Sequence, residues 1–511
     1  MRINTSGVSA RPQQRVLLAC LVAAGLAGCM TLGPDYERPP VPVPAAWRGE
    51  LPKVTNGAEL ANTDWWLAFG DPDLDKLIDT AIDANQDLAL AALRTEEFVA
   101  HLQVSKAASY PRVGYVTSAS TERRSQERPN GLQPGASPDV PNYEIAGTFN
   151  WELDLWGKVK RANEAALAEL LATQEVRRGV MLTVVSSVAT AYVQLLELDV
   201  RLVTAQKTLK NRNDALELVD AKWKGGSATR LAVEQARADV EAEAADIPFI
   251  ERDIALLENA LSGLLGRNVG PIQRRKLDTL ALPQMPQGVP ADVLARRPDV
   301  MAAEQNLTAA NARIGVAKTA YFPTISLTAA LGLGADDTRW LWSKTARTGN
   351  VGASVLGTLF SAGRIEGDIL AAEAVQKQTV VQYQQAVLTA LKEVEDALVA
   401  RNKSDQREAA LGRQIGALQE VTKLSKLRYE GGQSTLKEVL DADLKLVTAQ
   451  GSQALGRRDT LLALISVYKA MGGGWMVEQE KRRAPAAAPA VAALPAADLQ
   501  AQAATRTEAL K

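Results

Sequence analysis

Two long segments that favour the α-helix and contain no proline constrain the fold of this chain more than any other feature. The first runs from Gly157 to Gly225 and the second from Gly363 to Gly431, so each spans 68 residues (225 − 157 and 431 − 363). Both are rich in Ala, Leu, Glu, Gln and Lys, which are good helix formers. A helix of this length is on the order of 100 Å long. The sequence therefore predicts rods or the wall of a tunnel.

The chain repeats these segments at a constant spacing. The glycines that open them are 206 residues apart (363 − 157), and so are the Gly-Gly pairs that end them (431 − 225). After Gly226 a return segment places apolar residues at spacings of three and four, which is a coiled-coil period. Such self-similarity indicates two structural halves. We assign the first repeat to residues 61–270 and the second, which opens with an equatorial segment, to residues 271–475.

Four shorter segments alternate apolar with small or polar side chains, which is the period of a β-strand. They form one pair at residues 112–121 and 143–155 and another at residues 324–333 and 350–360. Each is about long enough to cross an outer membrane as a tilted strand. A soluble sheet is the alternative, because a period of two shows only that one face is buried.

Four strands cannot close into a barrel by themselves. An open sheet edge in hydrocarbon leaves backbone amides and carbonyls unpaired, at a cost of several kcal/mol each. If the strands span a membrane, other copies of the chain must supply the missing strands. The segments that join the strands within each pair are rich in charges, prolines and glycines, and we expect both joins to lie outside the cell.

The first residues indicate export. Residues 1–28 combine a basic start with an apolar run at residues 16–26, which suits a signal peptide and is too short for a spanning helix. The run ends in Leu26-Ala27-Gly28-Cys29, which resembles the bacterial lipobox, where Cys29 would carry a diacylglycerol. An ordinary signal peptide with a chance cysteine is the alternative. Met30 lacks the aspartate that bacterial lipoproteins use for inner-membrane retention, so we expect outer-membrane sorting.

The regions that flank the two repeats have biased compositions. Prolines are spaced through residues 29–60, which predicts an extended tether after the lipid. Residues 476–511 are dominated by Ala and Pro towards the end, which predicts a disordered tail. We find no run of about 18 uncharged apolar residues after the signal segment, so we expect no later helix to span a membrane.

Composition and motifs argue against an enzyme or a nucleic-acid-binding protein. The formal net charge is −1 and the chain has a single histidine, His101. Only Cys29 would remain after signal cleavage, which excludes an intramolecular disulfide and a thiolate metal cluster. Gly472-Gly473-Gly474 lacks the Lys-Ser/Thr of a phosphate-binding loop. We predict no enzymatic activity, no cofactor, no metal site and no nucleic-acid partner.

Three motifs resemble the signature of TolC-type outer membrane factors, in their NodT/OprM lipoprotein branch: Leu294-Ala-Arg-Arg-Pro-Asp299, Ala310-Asn-Ala-Arg-Ile-Gly-Val-Ala317 and Tyr321-Phe-Pro-Thr-Ile-Ser-Leu327. Gly33-Pro34-Asp35-Tyr36 and Trp65-Trp66 support the match, which runs from about residue 20 to residue 475. We interpret the two tryptophans as a packing anchor rather than as ligand-binding residues.

The resemblance implies an α+β membrane protein: a homotrimer with a long coiled-coil α-helical barrel, a shared transmembrane β-barrel and two structural repeats per chain. It implies a passive, gated duct in the outer membrane that extends into the periplasm. A periplasmic adaptor (membrane fusion protein) would join it to an inner-membrane transporter. The chain could instead be such an adaptor, but adaptors have one α-hairpin between two halves of a β-domain, whereas this sequence predicts two hairpins and two strand pairs.

The resemblance also implies a periplasmic gate. The segment 429–441 is similar to the family's tip motif, with Tyr429 at its constricting tyrosine and Glu438 and Asp441 at its inward-facing acidic ring. A spacing of three residues places the two acids on one helix face. In a trimer they would gather six carboxylates (three chains with two each) around a narrow axis. A solvated helix face with ordinary acids is the alternative.

Only the second half would supply this ring. The equivalent positions of the first half hold Ala232 and Gln235 (438 − 206 and 441 − 206). Ser434 stands where the best-known family member has an arginine that helps to hold the closed state. We therefore expect Tyr429 to have a different partner here.

Overall fold

The computed structural model describes residues 30–47, 64–123, 137–283, 285, 290–472 and 475–483. The chain divides into two compact units. Unit 1 comprises Met1–Val43, Ala89–Arg177 and Pro298–Thr389, and unit 2 comprises Pro44–Leu88, Arg178–Arg297 and Ala390–Lys511.

The described residues form nine α-helices, and the longest follow the predicted segments closely. They are α1 (Pro72–Ala84), α2 (Gln86–Ala107), α3 (Lys158–Lys224), α4 (Arg230–Leu264), α5 (Pro290–Leu294), α6 (Pro298–Lys318), α7 (Arg364–Glu430), α8 (Leu436–Ala470) and α9 (Trp475–Arg483). Helices α3 and α7 have 67 residues each, and α4 and α8 have 35 each. The long helices, expected at residues 157–224 and 363–430, each begin one residue later.

Helix α3 bears on the expectation that no helix after the signal segment could span a membrane. In the part of the chain that the structure describes, it is the one unbroken helix that is long and apolar enough to cross a membrane. However, 67% of its apolar stretch is buried inside the structure. Val185, Val188 and Tyr192 of this helix are fully buried in the hydrophobic core of unit 2. The stretch is therefore explained by packing within unit 2.

Aromatic side chains organise that core. Trp65 stacks on Tyr468 with ring centroids 5.2 Å apart, and Trp66 meets Trp475 edge to face at 4.9 Å. Both Trp65 and Trp66 are buried. The interpretation of these two tryptophans as a packing anchor is confirmed.

Helix α9 corrects the predicted tail, which was placed at residues 476–511. Trp475 and Met476 are buried in the core of unit 2, and Arg178 binds Glu480 at 3.1 Å. Burial of these two large apolar side chains anchors the short helix. The prediction of disorder rested on the average composition of the tail and did not consider them. Residues 484–511 lie outside the described residues.

Unit 1 contains one antiparallel sheet with the strand order β1-β2-β3-β4. The strands are β1 (Arg112–Arg123), β2 (Asp139–Leu153), β3 (Thr324–Ala335) and β4 (Arg347–Leu356). The last strand was expected at residues 350–360 but ends at Leu356, which pairs with Thr324. Pro323 precedes Thr324 and has no N–H, so the ladder stops there.

The register of the sheet separates two faces. One row across the four strands is apolar: Val113, Phe149, Ala329 and Val351. The next row, on the opposite face, is small or polar: Gly114, Thr148, Ala330 and Asn350. Val113 and Val351 are 81% and 85% exposed. Within the described chain, the sheet thus leaves apolar side chains uncovered, and β1 and β4 each have an unpaired edge.

Candidate functional site

The candidate gate lies at the turn that joins α7 to α8. The N–H of Gly431 donates to Leu427 O at 3.0 Å, that of Gly432 to Tyr429 O at 2.9 Å, and that of Gln433 to Arg428 O at 2.8 Å. Gly432 has a φ of 72°, the left-handed conformation that ends helices and favours glycine. This bonding satisfies the last carbonyls of α7 and fixes where the chain reverses.

The turn between α3 and α4 has the same backbone geometry. Its three N–H donors, 206 residues earlier, make the equivalent bonds at 3.0, 2.9 and 2.8 Å, and Gly226 has a φ of 75°. The residues directly before the helices that follow, Thr229 and Thr435, both have a φ of −91°. Any functional difference between the two turns must therefore come from their side chains.

The predicted gate residues occupy the two sides of the second turn. Tyr429 lies in the last turn of α7 and is exposed, whereas Glu438 lies in the first turn of α8 and Asp441 one turn later. Both acids are exposed, and the residues that directly follow them, Val439 and Ala442, are buried. Glu438 and Asp441 therefore share an exposed helix face, as their spacing predicted.

Nearby side chains stiffen this turn. The hydroxyl of Thr435 donates to Glu438 Oε1 at 3.4 Å, and Lys426 of α7 pairs with Asp443 of α8 at 3.3 Å. In the first turn, by contrast, the Thr229 hydroxyl accepts from the Ala232 N–H at 3.2 Å. Thr435 and Glu438 have the spacing of a capping box, but the Thr435 side chain caps no backbone N–H of α8.

Ser434 occupies the position where the resemblance expects an arginine. Its hydroxyl donates to the carbonyl of Ser425 at 3.5 Å, within the same hairpin. In the described part of the chain, the Tyr429 side chain takes part in no hydrogen bond. The arrangement offers exposed carboxylates and a phenol at the tip of a helical hairpin, which can bind cations or narrow a passage.

The candidate lipid site, Cys29, lies outside the described residues, but the residues after it are firmly placed. We call residues 31–38 the strap. The Arg161 guanidinium is almost fully buried and donates to Leu32 O at 3.1 Å, Gly33 O at 3.3 Å and Asp35 Oδ1 at 2.7 Å. A Cβ on Gly33, whose φ is 89°, would lie 2.5 Å from the Cα of Gly315. The strap is thus closely packed against unit 1.

The far end of the strap is held by Glu304 of α6. Its carboxylate accepts from Arg38 Nε at 2.7 Å and from the Tyr36 hydroxyl at 3.2 Å. Burial and the Glu304 carboxylate raise the pKa of Tyr36 to about 12. Residues 31–38, expected to be part of an extended tether at 29–60, are therefore docked on unit 1, and residues 48–63 lie outside the described residues.

Sequence reasoning missed Arg161 and Glu304. Asn311, which donates to Pro34 O at 2.9 Å, lies within a quoted motif, but the motif did not reveal its partner. These contacts join residues more than 100 positions apart, and no local pattern predicts such pairs. The only local signal for these contacts was the position of Arg161 near the start of the long helix α3.

Known proteins resemble this chain over nearly its whole described length. The sequence profile of the outer membrane efflux protein family matches residues 77–267 and 289–473. The cation efflux system protein CusC of Escherichia coli is 34% identical over 470 residues, which cover 90% of this chain and 98% of CusC. The probable outer membrane lipoprotein SilC of Salmonella typhimurium is 33% identical over 456 residues, or 88% of this chain and 97% of SilC.

Solved structures agree with this assignment. The open state of the MtrE outer membrane channel of Neisseria gonorrhoeae has a TM-score of 0.78 and 28% identity, and the match covers 87% of this chain and 98% of MtrE. The resemblance to outer membrane factors that the motifs indicated is confirmed, and these relatives are efflux and channel proteins. The chain therefore belongs to the outer membrane efflux protein family and is an efflux channel component of the outer membrane.

Proposed function

We propose that three copies of this chain form a passive duct that carries substrates from an inner-membrane transporter and a periplasmic adaptor to the outside. The observation that carries the proposal is the sheet, which has an exposed apolar face, a small or polar opposite face and two open edges. In a bilayer, lipid covers an apolar outer face while a polar inner face lines water. Neighbouring copies would pair with the open edges and close a β-barrel.

The helices support an internal repeat in the same assembly. Helices α3 and α7 have equal lengths and begin 206 residues apart (364 − 158), as do α4 and α8 (436 − 230). The family profile also matches the chain in two segments. Two hairpins per chain would give a trimer six hairpins (three chains with two each) as the wall of a periplasmic tunnel.

The descriptions of two relatives support the proposed lipid anchor and the proposed partner proteins. SilC is described as a probable outer membrane lipoprotein, which supports lipid attachment at Cys29. CusC is described as a protein of a cation efflux system, which supports a role beside other components. The chain would contribute the passive conduit, and the energy for transport would come from the inner-membrane transporter.

The gate belongs to the second hairpin. Glu438 and Asp441 lie on one exposed face of α8, across the turn from Tyr429, and the first hairpin offers an almost identical backbone without this acid pair. Three copies of the pair around the channel axis would attract cations and bind multivalent ones. Tyr429 would narrow the passage at the same level.

The gate can be tested by removing its charges. The double variant Glu438→Ala/Asp441→Ala should lower the ratio of cation to anion permeability about twofold or more in planar bilayers. Block by multivalent cations from the periplasmic side should weaken in parallel, because the carboxylates that bind them are gone.

A matched control uses two exposed acids of the first hairpin. Glu234→Ala/Glu241→Ala removes the same number of charges from α4 and should leave selectivity and block unchanged. If the α8 variant conducts like the parent channel, or if both double variants change selectivity equally, Glu438 and Asp441 do not form the constriction.

A further inference from the structure

A small apolar groove opens in unit 1 beside the strap. Its volume is about 390 Å³, within the range of roughly 300–1,000 Å³ that is typical of ligand pockets. Leu32, Tyr321, Phe322, Ile369 and Leu370 supply its apolar walls. The one cation in the wall, Lys318, pairs with Glu373 at 3.4 Å, and the remaining charged residue of the lining is the exposed Glu366, so the groove offers no free cation to an anionic ligand.

The strap fixes one wall of the groove. The Leu32 N–H donates to Trp156 O at 3.2 Å, and the Leu32 carbonyl accepts from Arg161 Nε at 3.1 Å. A Cβ on Gly157, whose φ is 74°, would lie 2.9 Å from Thr31 Cγ2, so the neighbouring residue of the strap is also closely packed. Leu32 is therefore held against the groove by its backbone on both sides.

The opposite wall lies where the sheet begins. Phe322 packs against Trp156 with ring centroids 4.8 Å apart, and the Trp156 indole donates to Pro323 O at 2.7 Å. Thr324, the first residue of β3, follows directly. The groove thus adjoins the end of the sheet at which β3 begins.

We infer that this groove binds an acyl chain of the lipid attached to Cys29. The occupant is specified by where the described chain ends: Leu32 lies only three positions (32 − 29) after Cys29, a span of about 10 Å. The ligand class follows from the walls: five of the eight lining residues are apolar or aromatic, and the one cation is paired with Glu373. An acyl chain seated here would hold the lipid at the level of the strand ends. The inference rests on the proposed lipidation.

Photo-crosslinking of the full-length, lipidated protein in its own outer membrane tests the inference. Leu370 is replaced by p-benzoylphenylalanine, whose excited ketone inserts into nearby C–H bonds. Leu388 serves as the matched control, because it lies on the same helix with 59% exposure against 58% for Leu370. The two positions are 18 residues apart (388 − 370), which is five helical turns or about 27 Å, so they share a face.

We expect position 370 to crosslink to the acylated N-terminal peptide that begins at Cys29, as identified by mass spectrometry, and position 388 not to do so. The crosslink should disappear in Cys29→Ser. Capture of a phospholipid or lipopolysaccharide, capture of a peptide from a second copy, or equal crosslinking from both positions would overturn the inference. If the N-terminal peptide carries acyl chains but no crosslink forms, the groove inference alone fails. An N-terminal peptide without acyl chains refutes the lipidation and, with it, the groove's occupant.

Discussion

Two acidic residues at the start of α1, Asp71 and Asp75, have contrasting surroundings in unit 2. Asp71 is buried, caps the helix by accepting from the Asp73 N–H at 2.9 Å, and accepts from the Tyr192 hydroxyl at 2.7 Å. Asp75 lies one turn later. Within the described residues, its Oδ1 is buried without a hydrogen-bond partner. A buried carboxylate without a partner disfavours its own ionised form.

The burial of Asp75 near other carboxylates predicts that the stability of the protein depends on pH. Burial, and then the nearby Asp71 and Asp79 carboxylates, raise the pKa of Asp75 from 3.8 to about 6. The folded protein therefore holds this proton more tightly than the unfolded chain. Stability from this group is lost as the pH rises from about 4 to about 6, and the loss is complete above that window.

The variant Asp75→Asn should remove this penalty, because the amide is isosteric and never ionises. The melting temperature of the purified protein should rise at pH 7.5 and change little at pH 4, where the parent side chain is protonated in the folded protein and the loss of stability has only begun. Glu96→Gln, an exposed acid, should leave the melting temperature unchanged at both values. An equal rise at both pH values, or a fall at pH 7.5, would contradict this account of Asp75.

At the scale of elements, the strap behaves as an integral part of unit 1. Arg161→Ala removes three hydrogen bonds to it, and each typically contributes about 1 kcal/mol net. Hydrogen–deuterium exchange of residues 31–33 should then accelerate by about tenfold or more, since 1.4 kcal/mol corresponds to a factor of ten. Lys158→Ala is the control, because Lys158 pairs with Glu152 at 3.0 Å and not with the strap. Unchanged exchange in Arg161→Ala would show that the strap is held by other contacts.

Elements with local signals were predictable from the sequence. The long helices end where Gly226 and Gly432 take positive φ values, and α6 begins at Pro298, where proline fits the first turn. The end of β4 was not predictable, because it depends on the partner strand stopping at Pro323. The short helix α9 and the strap were missed for a related reason: both depend on contacts between residues far apart in sequence.

Some features of the candidate gate were predictable from the sequence and others were not. The spacing of Glu438 and Asp441 predicted their common face, since helical periodicity is local. The pairing of Lys426 with Asp443 and the contact of Thr435 with Glu438 depend on how two helices meet at a turn. The motifs around Asn311 gave the family but not the role of that side chain.

In the whole molecule, we propose that other copies of the chain complete the sheet. In the described chain, β1 and β4 each leave one edge unpaired, and the apolar face is exposed. Each unpaired backbone group would cost several kcal/mol in hydrocarbon. A monomer in a bilayer is therefore strongly disfavoured, and the same edges explain why a closed assembly should survive mild detergent.

Native mass spectrometry of the full chain, released from detergent micelles in the gas phase, tests this claim most directly. Our account predicts one dominant species with the mass of three chains, stable at dilutions at which weak complexes dissociate. A dominant monomer that retains its strands by infrared spectroscopy would contradict it, because four strands with two open edges would then suffice in the membrane.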